Sequence, residues 1–209
     1  PYVDDVVLVA SQQNMDKMQA LFAAAPLEKP VQYALGGAMR TESVAAGLAL
    51  AGGDIVAIHD AARPFVSGEI IGRTVEAAAE VGGAAPAVAV KDTIKEAEDD
   101  FIVATPPRHK LMAVQTPQTF RRTEFAAALA AVPQCEYETL TDDCMVMERI
   151  GGKVQLVQGR FANRKITTPE DLEGPKEGAA LGLRVGPGYG LHSVEVGGGL
   201  GFGVLEVAC

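Results

Sequence analysis

Short β-branched apolar runs alternate along this chain with segments whose apolar residues recur every three or four positions, and that alternation limits the fold more than any other feature. Asp5-Val6-Val7-Leu8-Val9 reads as a strand. Met15, Met18, Leu21 and Phe22 then predict a helix over Asn14 to Ala24. Gly36-Gly37 precedes a second helix, about Thr41 to Leu50, which Gly52-Gly53 ends before the strand Ile55-Val56-Ala57-Ile58. Ser67 is placed to N-cap a helix through Ile71, Val75 and Ala78, and Ala84 to Val90 form a buried strand. Strand and helix in alternation predict a mainly parallel, three-layer α/β sheet.

From Lys91 the pattern changes. Asp92 to Glu98 and Phe101 to Thr105 read as short, partly polar strands around the turn Glu98-Asp99-Asp100, an arm over about 91–112 with little core of its own. The chain returns through Met112 to Gln115, helices over Glu124 to Ala131 and Thr141 to Ile150, and a strand from Val154 to Val157. Thr168 as N-cap, Pro169 at the first position and Glu170 and Asp171 in the first turn predict a last helix to about Leu181. Residues 1–181 are therefore expected to form the main domain. Beyond Gly182 the composition turns Gly-rich and apolar without periodicity, so 182–209 is expected to be a tail.

A formal net charge of -9, with no long Lys/Arg cluster, argues against a nucleic-acid partner, since a phosphate backbone demands a basic face. An anionic small substrate would be held by individual local cations. No apolar run approaches the ~20 residues that span a bilayer, and the start Pro1-Tyr2-Val3-Asp4-Asp5 is not that of a secretory signal, so a soluble, cytoplasmic protein without membrane contact is expected. Cys135, Cys144 and Cys209 fall in no metal-binding spacing.

The strand ending at Ile58 delivers His59-Asp60-Ala61-Ala62-Arg63-Pro64-Phe65 to its carboxyl end, the edge at which open α/β sheets bind ligands. Asp60 beside Arg63 can hold Mg²⁺ and a phosphate together; taken alone, the pair serves equally as an ion pair closing a loop. Ser43 fits a ligand contact or an early-helix hydroxyl satisfying the backbone. Thr141-Asp142-Asp143 reads as an N-cap followed by two acids favoured by the helix dipole, His59 as a packing and hydrogen-bonding residue at a strand end, and His109 as an exposed residue of the arm.

His59 to Phe65 resembles the signature of the 2-C-methyl-D-erythritol 4-phosphate cytidylyltransferases of the non-mevalonate isoprenoid route. Gly36-Gly37-Ala38-Met39-Arg40-Thr41-Glu42-Ser43-Val44 resembles that family's cytosine- and ribose-contacting segment, Val90 to Lys95 the start of its arm, and Gln115-Thr116-Pro117-Gln118-Thr119-Phe120 its return strand. Thr141-Asp142-Asp143, Val157-Gln158-Gly159 and Lys165 to Leu172 follow in the same order. The resemblance implies a Rossmann-like sheet of the nucleotide-diphospho-sugar transferase type, CTP and methylerythritol phosphate as substrates, Mg²⁺ held by Asp60, and a homodimer made through the arm. It implies Asp60, Arg63 and Lys165 as catalytic residues, with Gly36, Gly37, Ser43, Asp60 and Ala61 at the nucleotide. Thr93, Arg108 and Lys165 would grip the sugar-alcohol phosphate, the first two across the dimer. Without the resemblance, Lys165 is an ordinary solvated cation and Arg108 a loop cap.

The chain departs from the family pattern in three places. The glycine-rich A-A-G-x-G-x-R segment that cradles a triphosphate has no counterpart before Gly36, so the chain is expected to start one βα unit into the family pattern, which puts folding and activity of the isolated chain in question. Ala162 stands where the family carries an Asp, and Met112 where an aromatic is usual. Leu183 to His192 resembles the opening of a 2-C-methyl-D-erythritol 2,4-cyclodiphosphate synthase, but Gly190 replaces a zinc-ligating Asp, so no zinc is expected. A bifunctional fusion accounts for that remnant. Ribitol 5-phosphate cytidylyltransferase and an inactive fragment of the family are the competing readings.

Overall fold

A computed structural model describes residues 2–168 and 171. Strand β1 (Val6–Ala10) is buried at all five positions, so both its faces are covered, as expected of a strand inside an α/β layer. It pairs in parallel with β2 (Val31–Leu35), the two joined by helix α1 (Gln12–Ala24), which packs Met15 and Met18 onto Val6, Leu8 and Ala10. Helix α2 (Arg40–Leu50) buries Val44 and Leu48 in the main core.

The larger sheet is built on β3 (Ile55–Ile58) and β4 (Gly83–Ala89), linked by helix α3 (Gly68–Val81). Ser67 caps that helix through its side chain, which accepts from the Ile70 N–H, and Gly82 ends it at φ 102, in the left-handed region that glycine enters without steric cost.

The arm is a hairpin of β5 (Glu96–Glu98) and β6 (Phe101–Ala104). Asp99 and Asp100 turn it with φ values of 46 and 66, a left-handed pair that matches the twist of a two-residue hairpin and that Asp tolerates. The strands are shorter than expected because residues 91–95 find no strand partner and are exposed.

After the arm, β7 (Met112–Val114) pairs with β4, and β8 (Gln118–Arg121) inserts between β3 and β4, every one of these pairings antiparallel. Helix α4 (Arg122–Ala131), the short α5 (Cys144–Arg149) and β9 (Gln155–Gln158), parallel to β4, complete the described residues. The sheet is therefore mixed: the chain re-enters from the arm without a crossover helix, so β7 and β8 run against their neighbours. One core joins the elements, with Phe120 and Phe125 stacked at 4.6 Å inside it.

Helix α5 starts three residues later than the expected Thr141, for a reason remote in sequence. Gln118 Oε1 accepts from the N–H groups of Asp143 and Cys144 at 2.8 and 3.2 Å, and Asp142 Oδ1 accepts from the Met145 N–H at 3.0 Å, so these donors are satisfied from outside the helix. Most of the last expected helix, and all of 182–209 including the synthase-like stretch, lie outside the described residues.

Candidate active site

The carboxyl ends of β3 and β9 and the amino end of β8 meet at one edge of the larger sheet, because Ile58 pairs with Gln118 and Gln158 with Ala87. Residues around these strand ends, with Arg40 from the start of α2 and Thr141 and Asp142 from the segment before α5, line one pocket that also holds Asp60, Arg63, Gln115, Thr116, Gln118 and Lys165.

Asp60 is placed by a chain of hydrogen bonds running through His59. His59 Nε2 lies 3.1 Å from the Arg63 carbonyl oxygen, which can only accept, so Nε2 carries the proton. Nδ1 then accepts from the Thr116 hydroxyl at 2.9 Å, and Thr116 Oγ1 accepts from the Asp60 N–H at 3.0 Å. Burial, above all else, pushes the His59 imidazole down to about 4, opposed by the hydrogen bond to the Arg63 carbonyl and by the Asp60 charge and assisted by the Arg63 charge, so the ring is neutral at physiological pH. The expected packing and hydrogen-bonding residue is thus a relay that ties both ends of the Asp60 loop.

A second set of bonds brings Lys165 to the same place from far along the chain. The Ile166 N–H donates to the Ala62 carbonyl at 2.8 Å, and Arg63 Nη1 donates to the Asn163 carbonyl at 2.9 Å. Asn163, fully buried, donates to the Thr116 carbonyl at 3.0 Å, and Gln115 donates to the Arg160 carbonyl at 2.8 Å. Gly159 permits this close approach: a Cβ there would lie 2.7 Å from Gln115 Oε1.

The outcome is a carboxylate with cations on both oxygens. Lys165 Nζ is 3.1 Å and Arg63 Nε 3.8 Å from Asp60 Oδ2, and Arg40 Nη2 is 3.9 Å from Oδ1. Arg40 is in turn held by Asp143, whose carboxylate accepts from Nη1 and Nη2 at 2.9 and 2.6 Å. Burial alone would lower the Arg40 pKa, but the Asp143 hydrogen bonds, with Asp143, Asp60 and Asp142 nearby, raise it above its ordinary value. Burial pushes the Asp143 carboxyl up while Arg40 pulls it back; the two-point contact with a permanently charged guanidinium is that of a carboxylate. Asp143, expected as an acid answering a helix dipole, is the partner of Arg40 instead.

Other expected site residues are placed differently. The Ser43 side chain is fully buried; its Oγ accepts from the Gly37 N–H at 3.1 Å and donates to the Met39 carbonyl at 3.2 Å. It winds the Gly36–Gly37 turn onto α2, the backbone-satisfying role, and a Cβ at Gly36 would lie 2.8 Å from that oxygen. Glu42 finishes the turn by accepting from Ala38 and Met39, which holds its carboxyl below the usual range. Ala61 packs against the α1 side of β1. Thr93 and Arg108 lie on the exposed arm and do not line the pocket; Arg108 Nη1 donates to the Lys91 carbonyl at 2.8 Å. His109 is exposed as well.

The pocket offers hard oxygen donors and cations, the equipment for handling phosphates. Among the described residues no group of three or more His, Cys, Asp or Glu side chains could enclose a metal. With Asp60 and Asp142 among its lining residues, this cation-lined pocket suits a divalent cation such as Mg²⁺, which binds through one or two carboxylates plus substrate phosphates and keeps its remaining waters.

Residues 1–176 match the family model described as IspD: 2-C-methyl-D-erythritol 4-phosphate cytidylyltransferase. The chain belongs to this cytidylyltransferase family. Over 168 residues it is 45% identical to the 2-C-methyl-D-erythritol 4-phosphate cytidylyltransferase of Geobacillus kaustophilus, a match covering 80% of this chain and 73% of that protein. It is 42% identical over 200 residues to the bifunctional enzyme IspD/IspF of Nitrobacter winogradskyi, where the match covers 92% of this chain but 50% of the relative. Among solved structures, the 4-diphosphocytidyl-2C-methyl-D-erythritol synthase of Anaerococcus prevotii superposes with a TM-score of 0.71 at 29% identity, covering 81% of this chain and 76% of that one. The cytidylyltransferase fold and the mixed sheet therefore go together. No helix among the described residues is long and apolar enough to cross a membrane.

Proposed function

We propose that this chain transfers a cytidylyl group from CTP to 2-C-methyl-D-erythritol 4-phosphate, giving the CDP-alcohol and pyrophosphate. The observation that carries the reading is the Asp60 carboxylate, held at the carboxyl edge of the sheet with Arg63 and Lys165 on one oxygen and Arg40 on the other. The family membership and the relatives' named activity support the same reaction.

In this reading a phosphate oxygen of the sugar alcohol attacks the α-phosphorus of CTP, and the bond to the β-phosphate oxygen breaks as pyrophosphate leaves. Two polyanions must approach, so positioning and charge compensation make up most of the catalysis. Asp60 would hold a divalent cation, which when bound supplies charge neutralisation at the phosphates. Lys165 and Arg63 donate to phosphate oxygens; Gly36, Gly37, Ser43 and Ala61 shape the wall facing the nucleoside. With Ala162 in place of a carboxylate, Asp60 is the one acid this reading assigns to the metal.

Thr93 and Arg108 act in this proposal from a second copy of the chain, docked through the arm, where they bind the methylerythritol phosphate. Residues 1–181 form the transferase unit, and 182–209 begin a segment resembling a synthase. A cytoplasmic location goes with this pathway.

Pyrophosphate release from CTP, measured with methylerythritol phosphate and with ribitol 5-phosphate, tests the proposal. Methylerythritol phosphate should be the substrate, and Asp60→Ala should lower the rate by roughly 10²–10³-fold, the scale expected when a group stabilising the transition-state charge is lost. Turnover with ribitol 5-phosphate alone, or a rate indifferent to Asp60→Ala, would overturn it.

A further inference from the structure

Arg40 lines the pocket, yet the chemistry above assigns it no task. It sits in the first turn of α2, at the positive end of the helix dipole, where a cation is disfavoured. Its hold comes from outside the helix. Asp143, 2% exposed, grips both terminal nitrogens, and the Asp143 N–H is itself bound by the buried Gln118 of β8. A planar guanidinium held through two nitrogens has little freedom to swing.

The three cations around Asp60 consequently differ in mobility. Lys165 reaches Oδ2 on a flexible stem with a side chain 47% exposed, so it has a donor to give an entering phosphate oxygen, whereas Arg63, 14% exposed, is anchored through Nη1 on the Asn163 carbonyl. Arg40 stays where Asp143 keeps it. Since Asp143 balances its charge, its effect at Asp60 Oδ1 is mainly geometric.

We propose that Arg40 is a positioning residue for Asp60: clamped by Asp143, it fixes the Oδ1 side of the carboxylate while Lys165 turns from Oδ2 to the phosphates. The inference rests on the reading of Asp60 as the carboxylate of the phosphate site. It makes Arg40 and Asp143 a supporting shell, reaching from α2 and the start of α5 to the loop after β3.

The test removes the clamp without leaving a lone buried charge, by combining Arg40→Gln with Asp143→Asn. Three-bond scalar couplings on isotope-labelled aspartate then report the χ1 rotamer of Asp60 in the full chain. One rotamer is expected in the parent and averaging over several in the double variant. Arg40→Lys, which keeps Asp143 paired but lacks the planar fork, is expected to average too, and it serves as the test if the double variant does not fold. A single unchanged rotamer in the variant overturns the proposal.

Electron paramagnetic resonance of Mn²⁺ with CTP gives a second readout. Loss of positioning should weaken Asp60-dependent Mn²⁺ binding roughly 10-fold, as is typical when a supporting partner of a ligand is removed. Simple removal of a neighbouring cation would tighten it, so equal or tighter binding also overturns the proposal. Mn²⁺ binding to the parent that ignores Asp60→Ala would instead strike down the metal assignment above, and the rotamer couplings would still decide the role of Arg40.

Discussion

The edge that carries Asp60 and the arm that carries Thr93 and Arg108 belong to one chain and are built in opposite ways. At the edge, loops after β3 and β9 and the turn before β8 are tied by His59, Thr116, Gln115 and Asn163, each buried or nearly so and each hydrogen-bonded. On the arm, Phe101, Ile102 and Val103 are 76%, 65% and 54% exposed, and Arg108 donates to the Lys91 carbonyl at the base of the arm. The edge is tied together within the chain; the arm, among the described residues, presents apolar surface that belongs to no core cluster. Preorganisation suits the phosphate chemistry proposed for the edge, whereas the exposed apolar strand of the arm is surface that the proposed second copy would bury.

The largest expected effect falls on the edge. Asp143→Ala strips a buried partner from Arg40 and from the Gln118 network, so unfolding by urea should show a loss of about 3–5 kcal/mol. A loss below about 1 kcal/mol, the scale of an exposed ion pair, would mean that the edge is held no more firmly than the arm.

His59 provides a subtler test of the same contrast. Its imidazole is pushed down to about 4 in the fold against an ordinary 6.5, chiefly by burial, so below pH 6.5 the unfolded chain takes up the proton first. Its contribution to stability is complete above pH 6.5, falls as the pH drops towards 4, and is lost below that, amounting to as much as about 3 kcal/mol. Carboxylates titrate over part of this range, so the comparison is with His59→Gln, whose stability should fall less steeply between those two pH values. Equal slopes would show that the ring is not held neutral.

Much of this was legible in the residues, and the exceptions have a common cause. The helix α3 start at Ser67 and the strand Ile55–Ile58 follow from local chemistry, and they appear where the pattern puts them. The His59–Phe65 motif pointed to Asp60 and Arg63 and the segment from Lys165 to Leu172 pointed to Lys165, and the fold brings the three side chains together. Strand β2 went unseen because only Ala34 of its five residues is fully buried, so no apolar period marks it. The late start of α5 and the Arg40–Asp143 clamp depend on partners 25 and 103 residues away, a range at which no local period operates. Ser43 shows the reverse: its motif suggested a ligand contact, whereas the tight Gly36–Gly37 turn takes up its hydroxyl. A cation at the start of α2 was the one visible oddity that pointed towards Asp143.

The smallest expected effect belongs to the arm, and it sharpens the comparison most. Among the described residues Phe101 belongs to no core cluster, so Phe101→Ser should shift the unfolding free energy by less than about 0.5 kcal/mol, measured at a chain concentration where the parent is monomeric. Sedimentation at higher concentration should nonetheless move from dimer towards monomer, because removing a large exposed aromatic takes away surface that only a partner can bury. Weakened association with intact folding is the signature of a surface finished by another copy. A variant that unfolds as early as Asp143→Ala, or a parent that sediments as a monomer at every concentration, would show that the arm serves the chain's own fold and that Thr93 and Arg108 have no neighbour to act upon.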